Sequence, residues 1–267
     1  VIPFLLVGYL ACALLMLMLW LWQRRSRRAE IIDLGWVLGL TGLIAWAALR
    51  QSPVHPRQWL VAALFVFWGA RLGRHLWMRY LQTPHEDPRY AFLRETRHSS
   101  AAHEFFWLFQ FEAVLIPLLA WPVFLIASRS STGLDGWDLA GTSIWLVGMI
   151  GEAIADHQLH RFKKKASSKE VCQDGLWRFS RHPNYFFEWL IWVSLAVLAW
   201  PSQWGWIGII APLMMWVFLR WITGVPIAEA QSLRSRGEAY RAYQRTTSPF
   251  FPLPPRLQKY ITGIKER

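Results

Sequence analysis

Residues 2–22 read IPFLLVGYLACALLMLMLWLW, a stretch without a single charge, and Gln23 followed by RRSRR closes it. About 20 consecutive apolar residues are what a helix needs to cross the hydrocarbon core of a bilayer. The run is too long for a cleaved leader, no basic segment precedes it, and it ends in a stop-transfer pattern, so a retained membrane helix is expected. Six more apolar runs follow, at about 31–49, 59–78, 105–127, 137–158, 185–201 and 204–222. The third, fifth and sixth carry charges within them. The expectation is an all-α integral membrane protein, a bundle of about seven transmembrane helices forming one polytopic domain over 1–267. Within it, 1–130 would be the substrate-side helices and 131–267 a second half ending in a tail.

Composition agrees. Hydrophobic residues make up 54% of the chain and charged residues 17%, against roughly 25% charged in soluble proteins. The 19 Trp suit the aromatic belts at membrane–water interfaces. Segments 23–30, 79–104, 159–184 and 223–267 hold 23 of the 29 Lys and Arg, whereas the opposing loops hold only Arg50, Arg57 and Arg129. By the positive-inside rule the N-terminus is outside and the C-terminus cytoplasmic, in what is expected to be a bacterial inner membrane. The net charge of +12 follows from those loops, and no soluble domain exists to read nucleic acid. Cys12 and Cys172 lie in different environments, so neither a disulfide framework nor a cysteine metal site is implied.

The short outer loops offer little chemistry, and the polar groups converge on the cytoplasmic segments. In GEAIADHQLHRFKKK, residues 151–165, Glu152, Asp156 and His160 recur every four positions and share one helical stripe, with Lys163 beside it. Carboxylates at a membrane edge are costly and usually face a cavity or a partner. Asp156, His157 and His160 match no zinc spacing, and no metal is expected. The stretch DGLWRFSRHPNY, residues 174–185, turns at Asp174-Gly175, carries Arg178, and starts a helix near Pro183. Arg181 and His182 then sit at a helix mouth, where unpaired N–H groups and positive potential favour phosphate. Asn184, Tyr185 and Glu188 follow along the first turn and a half, placed to hydrogen-bond a ribose or carboxamide. An unpaired carboxylate at Glu188 would otherwise cost several kcal/mol. The tail from Pro226 is expected to run as one polar helix to about Gln244. Glu229, Leu233, Arg236, Tyr240 and Tyr243 lie on one face of it, laid either on the loops or on the membrane surface.

The set Gly175-Leu176-Trp177, Arg181-His182-Pro183-Asn184-Tyr185, Glu188, Glu229, Tyr240 and Tyr243 resembles the C-terminal half of the steroid 5-alpha-reductase superfamily. It is most similar to the bacterial branch named domain of unknown function 1295, and sterol C14 and C24 reductases share its R-H-P-N-Y signature. Asp33 with Gly35-Trp36, and Glu86-Asp87-Pro88-Arg89-Tyr90, resemble that branch more weakly. The resemblance implies a helical bundle with an NADPH site open to the cytoplasm. Its cofactor positions match Asp156, Asn184 and Glu188. Lys163 stands where a family arginine would meet the phosphates, and Glu229 and Tyr240 line the same site. With these go His160, Arg178, Arg181, His182 and Tyr185. Phe187 replaces the family's small glycine, and the Gln-Glu pair of the steroid enzymes is absent, Asp33 being the nearest acid.

The reading that follows is an NADPH-dependent reductase of a C=C bond in a steroid-like or other lipid, with Asp33, Glu112 and Tyr80 as candidates for proton delivery. The alternative is an S-adenosylmethionine-dependent lipid or isoprenylcysteine methyltransferase, which would share the R-H-P-x-Y motif. Asn184 with Glu188, and Asp156 upstream, favour NADPH. A non-catalytic scaffold or transporter is the third reading, against which stands the lack of paired broken helices.

Overall fold

The computed structural model describes residues 2–50, 53–87, 90–91, 94–95, 101–129, 133–165 and 169–254, with side chains from residue 5. Pro88 and Arg89 of the expected Glu86–Tyr90 motif lie outside these. Every regular element among the described residues is helical. In chain order they are α1 (Ile2–Ser26), α2 (Ile31–Leu49), α3 (Pro56–Gln82), α4 (Ala101–Ala120), α5 (Pro122–Ala127) and α6 (Gly136–Lys165), then α7 (Pro183–Ala199), α8 (Ile210–Val217), α9 (Val225–Arg236) and α10 (Glu238–Thr246). Short 3-10 turns cover Gly175–Arg178 and Gly205–Ile209, and a π turn covers Phe218–Ile222.

Among the described residues, five stretches are long and apolar enough to cross a membrane: Leu5–Ser26, Ile31–Leu49, Ala101–Ala127, Gly136–Lys165 and Gly205–Arg236. The chain is an integral membrane protein. The other two expected runs do form helices but do not reach this standard. Helix α3 has 27 residues, yet Arg57, Arg71, Arg74 and Arg79 are spread along it. Helix α7 has 17 residues, about 25 Å at 1.5 Å per residue, short of a hydrocarbon core of about 30 Å.

The chain forms two compact units. The first comprises Val1–Leu139 and Leu198–Ala211. Here α2 packs along α3 and α1 along α4, around a core that includes Leu40, Ile44, Phe65, Trp68, Phe105, Phe109 and Ile116. Trp68 meets both Trp36 and Phe65 edge-on. The same unit holds a polar network that sequence reasoning did not foresee. Arg57, at the start of α3, donates through Nε and Nη2 to both oxygens of Asp138 at 2.8–3.0 Å, and through Nη2 to the Gly133 carbonyl. Arg129 adds Nη1 to Asp138 Oδ1 at 3.1 Å and pairs with Asp135. The Asp135 N–H in turn donates to Asp138 Oδ2 at 2.9 Å. Arg57 and Asp138 are each 2% exposed.

The second unit comprises Ala140–Val197 and Pro212–Arg267. Its helix contact explains Phe187. A Cβ on Gly151 would lie 2.3 Å from the Phe187 ring, and one on Gly148 would lie 2.9 Å from the Phe187 carbonyl. The bulky residue on α7 is thus accommodated by two glycines on α6, and it is a packing residue here. Helix α6 ends in Lys163, Lys164 and Lys165, cations that suit the negative end of its dipole.

The tail departs from the single helix expected. It breaks at Gly237, whose φ of 53° and ψ of −122° belong to a region essentially closed to residues with a side chain. The break turns α10 so that Tyr240 and Tyr243 are buried, at 5% and 2% exposure. Tyr243 Oη donates to the Trp177 carbonyl and lies 3.1 Å from that of Ser180. Its apolar face is therefore covered by the loop before α7, not turned to a membrane surface.

Candidate functional site

The polar groups of the second unit gather at the N-terminal end of α7. The loop leading to it is fixed from below by α6: Gln158 Oε1 accepts the Leu176 N–H at 2.9 Å, and Trp177 Nε1 donates to the Ala155 carbonyl at 3.0 Å. Ser180 Oγ accepts the His182 N–H at 3.1 Å, which aims the His182 ring as Pro183 begins the helix. That ring stacks on Tyr185, centroids 5.2 Å apart and planes 6° from parallel.

Glu229, on α9, is the hub. Its Oε1 accepts from Arg181 Nε at 2.6 Å and its Oε2 from Gln244 Nε2 at 2.7 Å. His182 Nε2 stands 3.4 Å from Oε1, close enough for charge attraction yet without a directed hydrogen bond. Burial holds the His182 imidazole below its usual pKa; Glu229 acts against this, while Arg181 and Arg220 reinforce it. Tyr240 is pushed up to about 12 by burial, with Glu229 adding to the shift, so it stays a neutral hydroxyl at physiological pH.

One turn further on, Asn184 Nδ2 donates to Asp156 Oδ1 at 3.3 Å. This hydrogen bond joins the α6 stripe to the signature on α7. Asn184 Oδ1 and His182 Nε2 are buried atoms with no hydrogen-bond partner. Glu188, 8% exposed, accepts from Trp192 Nε1 at 3.1 Å one turn along the same helix. That contact supplies the carboxylate with an internal partner that sequence reasoning did not foresee. His160, Lys163 and Arg178 are exposed.

Two residues of this cluster were not singled out for it in the sequence. Gln244 follows Tyr240 by one turn, so its face was readable once the tail was known to dock. Arg220 lies on the π turn, its guanidinium 4.2 Å from the Trp221 ring centroid, and its charge reaches His182. Among the described residues it has no carboxylate partner. Single π turns inside helices are often associated with functional sites.

The proton-delivery candidates belong to the first unit. Asp33 accepts from Tyr90 Oη at 2.9 Å and from Arg79 Nη2 at 3.4 Å. Tyr90 is the partner that sequence reasoning missed, although it closes the Glu86–Tyr90 motif. Glu112 is half-buried on α4, close enough to Asp33 for the two carboxylates to interact. Tyr80 is held through its backbone and ring: its carbonyl accepts from Arg28 at 2.7 Å, whose guanidinium covers the ring at 3.7 Å. Beside these, Glu86 is gripped by Arg94 through both oxygens at 2.7–2.9 Å and accepts the Ala29 N–H.

Known proteins share parts of this sequence. An uncharacterized protein of Schizosaccharomyces pombe is 22% identical over 284 residues, covering 94% of this chain and 80% of that protein. The 3-oxo-5-alpha-steroid 4-dehydrogenase 1 of Bos taurus is 32% identical over 69 residues, 26% of each chain. That of Mus musculus is 32% identical over 66 residues, 24% of this chain and 26% of the mouse protein. The chain therefore spans about a quarter of the steroid dehydrogenases it matches. The family described as protein of unknown function (DUF1295) matches residues 19–247, and the chain belongs to this family, which is related to the steroid 5-alpha-reductases.

Proposed function

We propose that the protein is a membrane-embedded, NADPH-dependent reductase of a C=C bond in a steroid-like or other lipid, with the second unit holding the cofactor. The observation that carries this reading is the pair of buried atoms without a hydrogen-bond partner, His182 Nε2 and Asn184 Oδ1, at the start of one helix. Leaving such atoms unpaired costs about 1–3 kcal/mol each, which a bound polar ligand would recover. The Asn184 oxygen can accept from a carboxamide N–H, and Asp156, already in contact with Asn184, can accept from hydroxyls. Cations at Lys163, Arg178 and Arg220 suit phosphates. His160, Tyr185, Glu188, Glu229 and Tyr240 complete the proposed set.

When bound, NADPH supplies a hydride; the chain must supply a proton and exclude water. Asp33 with Tyr90, Glu112 and Tyr80 are the proposed proton-handling groups of the first unit. The charge bias of the loops supports a site facing the cytoplasm, with the N-terminus outside, in a bacterial inner membrane. The apolar spans suit a lipid substrate arriving through the bilayer.

The test is a thermal-shift titration of the detergent-purified chain with NADPH, NADH and S-adenosylmethionine in parallel. A ligand at about 100 times its Kd adds roughly 2.7 kcal/mol to the stability of the state it binds. Stabilisation by NADPH supports the reductase. A response to S-adenosylmethionine alone would replace it with a methyltransferase.

A further inference from the structure

Arg181 is 9% exposed at its side chain, and its donors run into the C-terminal segment. Nε donates to Glu229, while Nη1 donates to the carbonyls of Gln244, at 3.0 Å, and Thr247. These carbonyls close α10, where the last C=O groups lack intrahelical partners and a cation complements the dipole. The Arg181 N–H donates to the Ser248 carbonyl at 2.8 Å. Its neighbours extend the attachment: Ser180 Oγ donates to the Phe250 carbonyl at 2.8 Å and the Leu253 N–H to the Phe179 carbonyl at 2.9 Å. Phe250, 1% exposed, seats edge-on against Phe186 and Trp189. Three of the five guanidinium N–H donors are engaged in this way, all of them within the protein.

We infer that Arg181 is a positioning residue, latching the 244–253 strap onto the start of α7 and holding Glu229 in place beside His182. Only its consequence for cofactor affinity rests on the reductase reading; the latch itself does not. The planar fork is what the position requires, since it reaches a carboxylate and two carbonyls together, whereas a lysine ammonium is a point charge. Glu229, held by Arg181 on one oxygen and Gln244 on the other, is kept from closing on His182. Loosening the fork frees the strap and lets the carboxylate turn to the imidazole.

The test compares wild type, Arg181→Lys and Phe250→Ala as full chains in detergent without ligand. In Arg181→Lys, amides of residues 246–253 should exchange about tenfold faster or more, as expected for losing charge-assisted hydrogen bonds. The His182 titration midpoint, identified by the imidazole signal lost in His182→Gln, should rise in the same variant. Phe250→Ala should loosen the strap and leave that midpoint unmoved. An equal rise there would assign the effect to a loose strap in general and overturn the role of Arg181 on Glu229. Should Arg181→Lys fail to accumulate, Glu229→Gln removes the anion from the latch and should also speed strap exchange. An NADPH titration completes the set, with Arg181→Lys expected to lose affinity in step with its strap. Retained strap protection in Arg181→Lys overturns the latch and leaves the cofactor reading standing. Absence of NADPH binding to wild type retires that reading and leaves the exchange result intact.

Discussion

Two polar clusters in this protein use similar residues and reach opposite ends. At the starts of α3 and α6, Arg57, Arg129, Asp135 and Asp138 answer one another completely. Asp138 alone accepts from two guanidiniums and a backbone N–H, and none of the four is left with a buried unpaired side-chain atom. At the start of α7, Arg181 and Glu229 are equally well matched, yet His182 Nε2 and Asn184 Oδ1 are not. The low-dielectric interior makes a satisfied network rigid and an unsatisfied atom expensive. A closed cluster is explained by the fold it ties together. An open one is explained by something that comes to fill it.

The strongest attempt to break this contrast is Asp138→Ala. It leaves Arg57 and Arg129 facing one another without their main acceptor, and removing one partner of a buried pair costs about 3–5 kcal/mol. A large fall in melting temperature, or failure to accumulate, is expected, with NADPH affinity per folded molecule unchanged. A wild-type melting temperature would show that the network is solvated and that burial is a poor guide here. Asn184→Ala should do the reverse. It removes one 3.3 Å hydrogen bond to Asp156, worth about 1 kcal/mol, together with an orphan acceptor. NADPH affinity, measured by calorimetry, should fall about tenfold or more while the ligand-free melting temperature hardly moves. If the stability falls and the affinity holds, Asn184 belongs with the closed cluster.

How much of this could be read in the sequence follows from where the information resides. The membrane helices were legible because hydropathy is local, and every expected run is helical. The strict standard separates α3, whose arginines are spread along its length, and α7, which is too short by itself. The family likeness put Asp156 and Asn184 in one expected site, but their hydrogen bond joins residues 28 positions apart and was not foreseen. The Arg57–Asp138 network was invisible because the two residues are 81 positions apart and nothing in either segment names the other. Arg181 was read as a phosphate contact from the helix mouth it occupies; its partners at Glu229, Gln244 and Thr247 come from a tail whose docking depends on Gly237. That glycine stood in plain view in RSRGEAY, and a break there is what turns Tyr240 and Tyr243 inward.

The smallest expected effect concerns protons, and it tests whether the open cluster is as dry as its geometry implies. Burial holds the His182 pKa below its ordinary 6.5, with Arg181 and Arg220 adding to the depression and Glu229 opposing it. The unfolded chain therefore takes up a proton near pH 6.5 that the folded chain refuses until lower pH. Because the unfolded state then binds more protons, stability must fall as pH drops below about 6.5, and this contribution is flat above it. The slope from one such group cannot exceed about 1.4 kcal/mol per pH unit. Melting temperatures of wild type and His182→Gln, followed from pH 7.5 to 5, isolate it from the carboxylates common to both. Wild type should lose more stability than the variant as the pH falls. Parallel curves would mean that water or Glu229 already satisfies the imidazole, which would remove one of the two unpaired atoms on which the contrast depends.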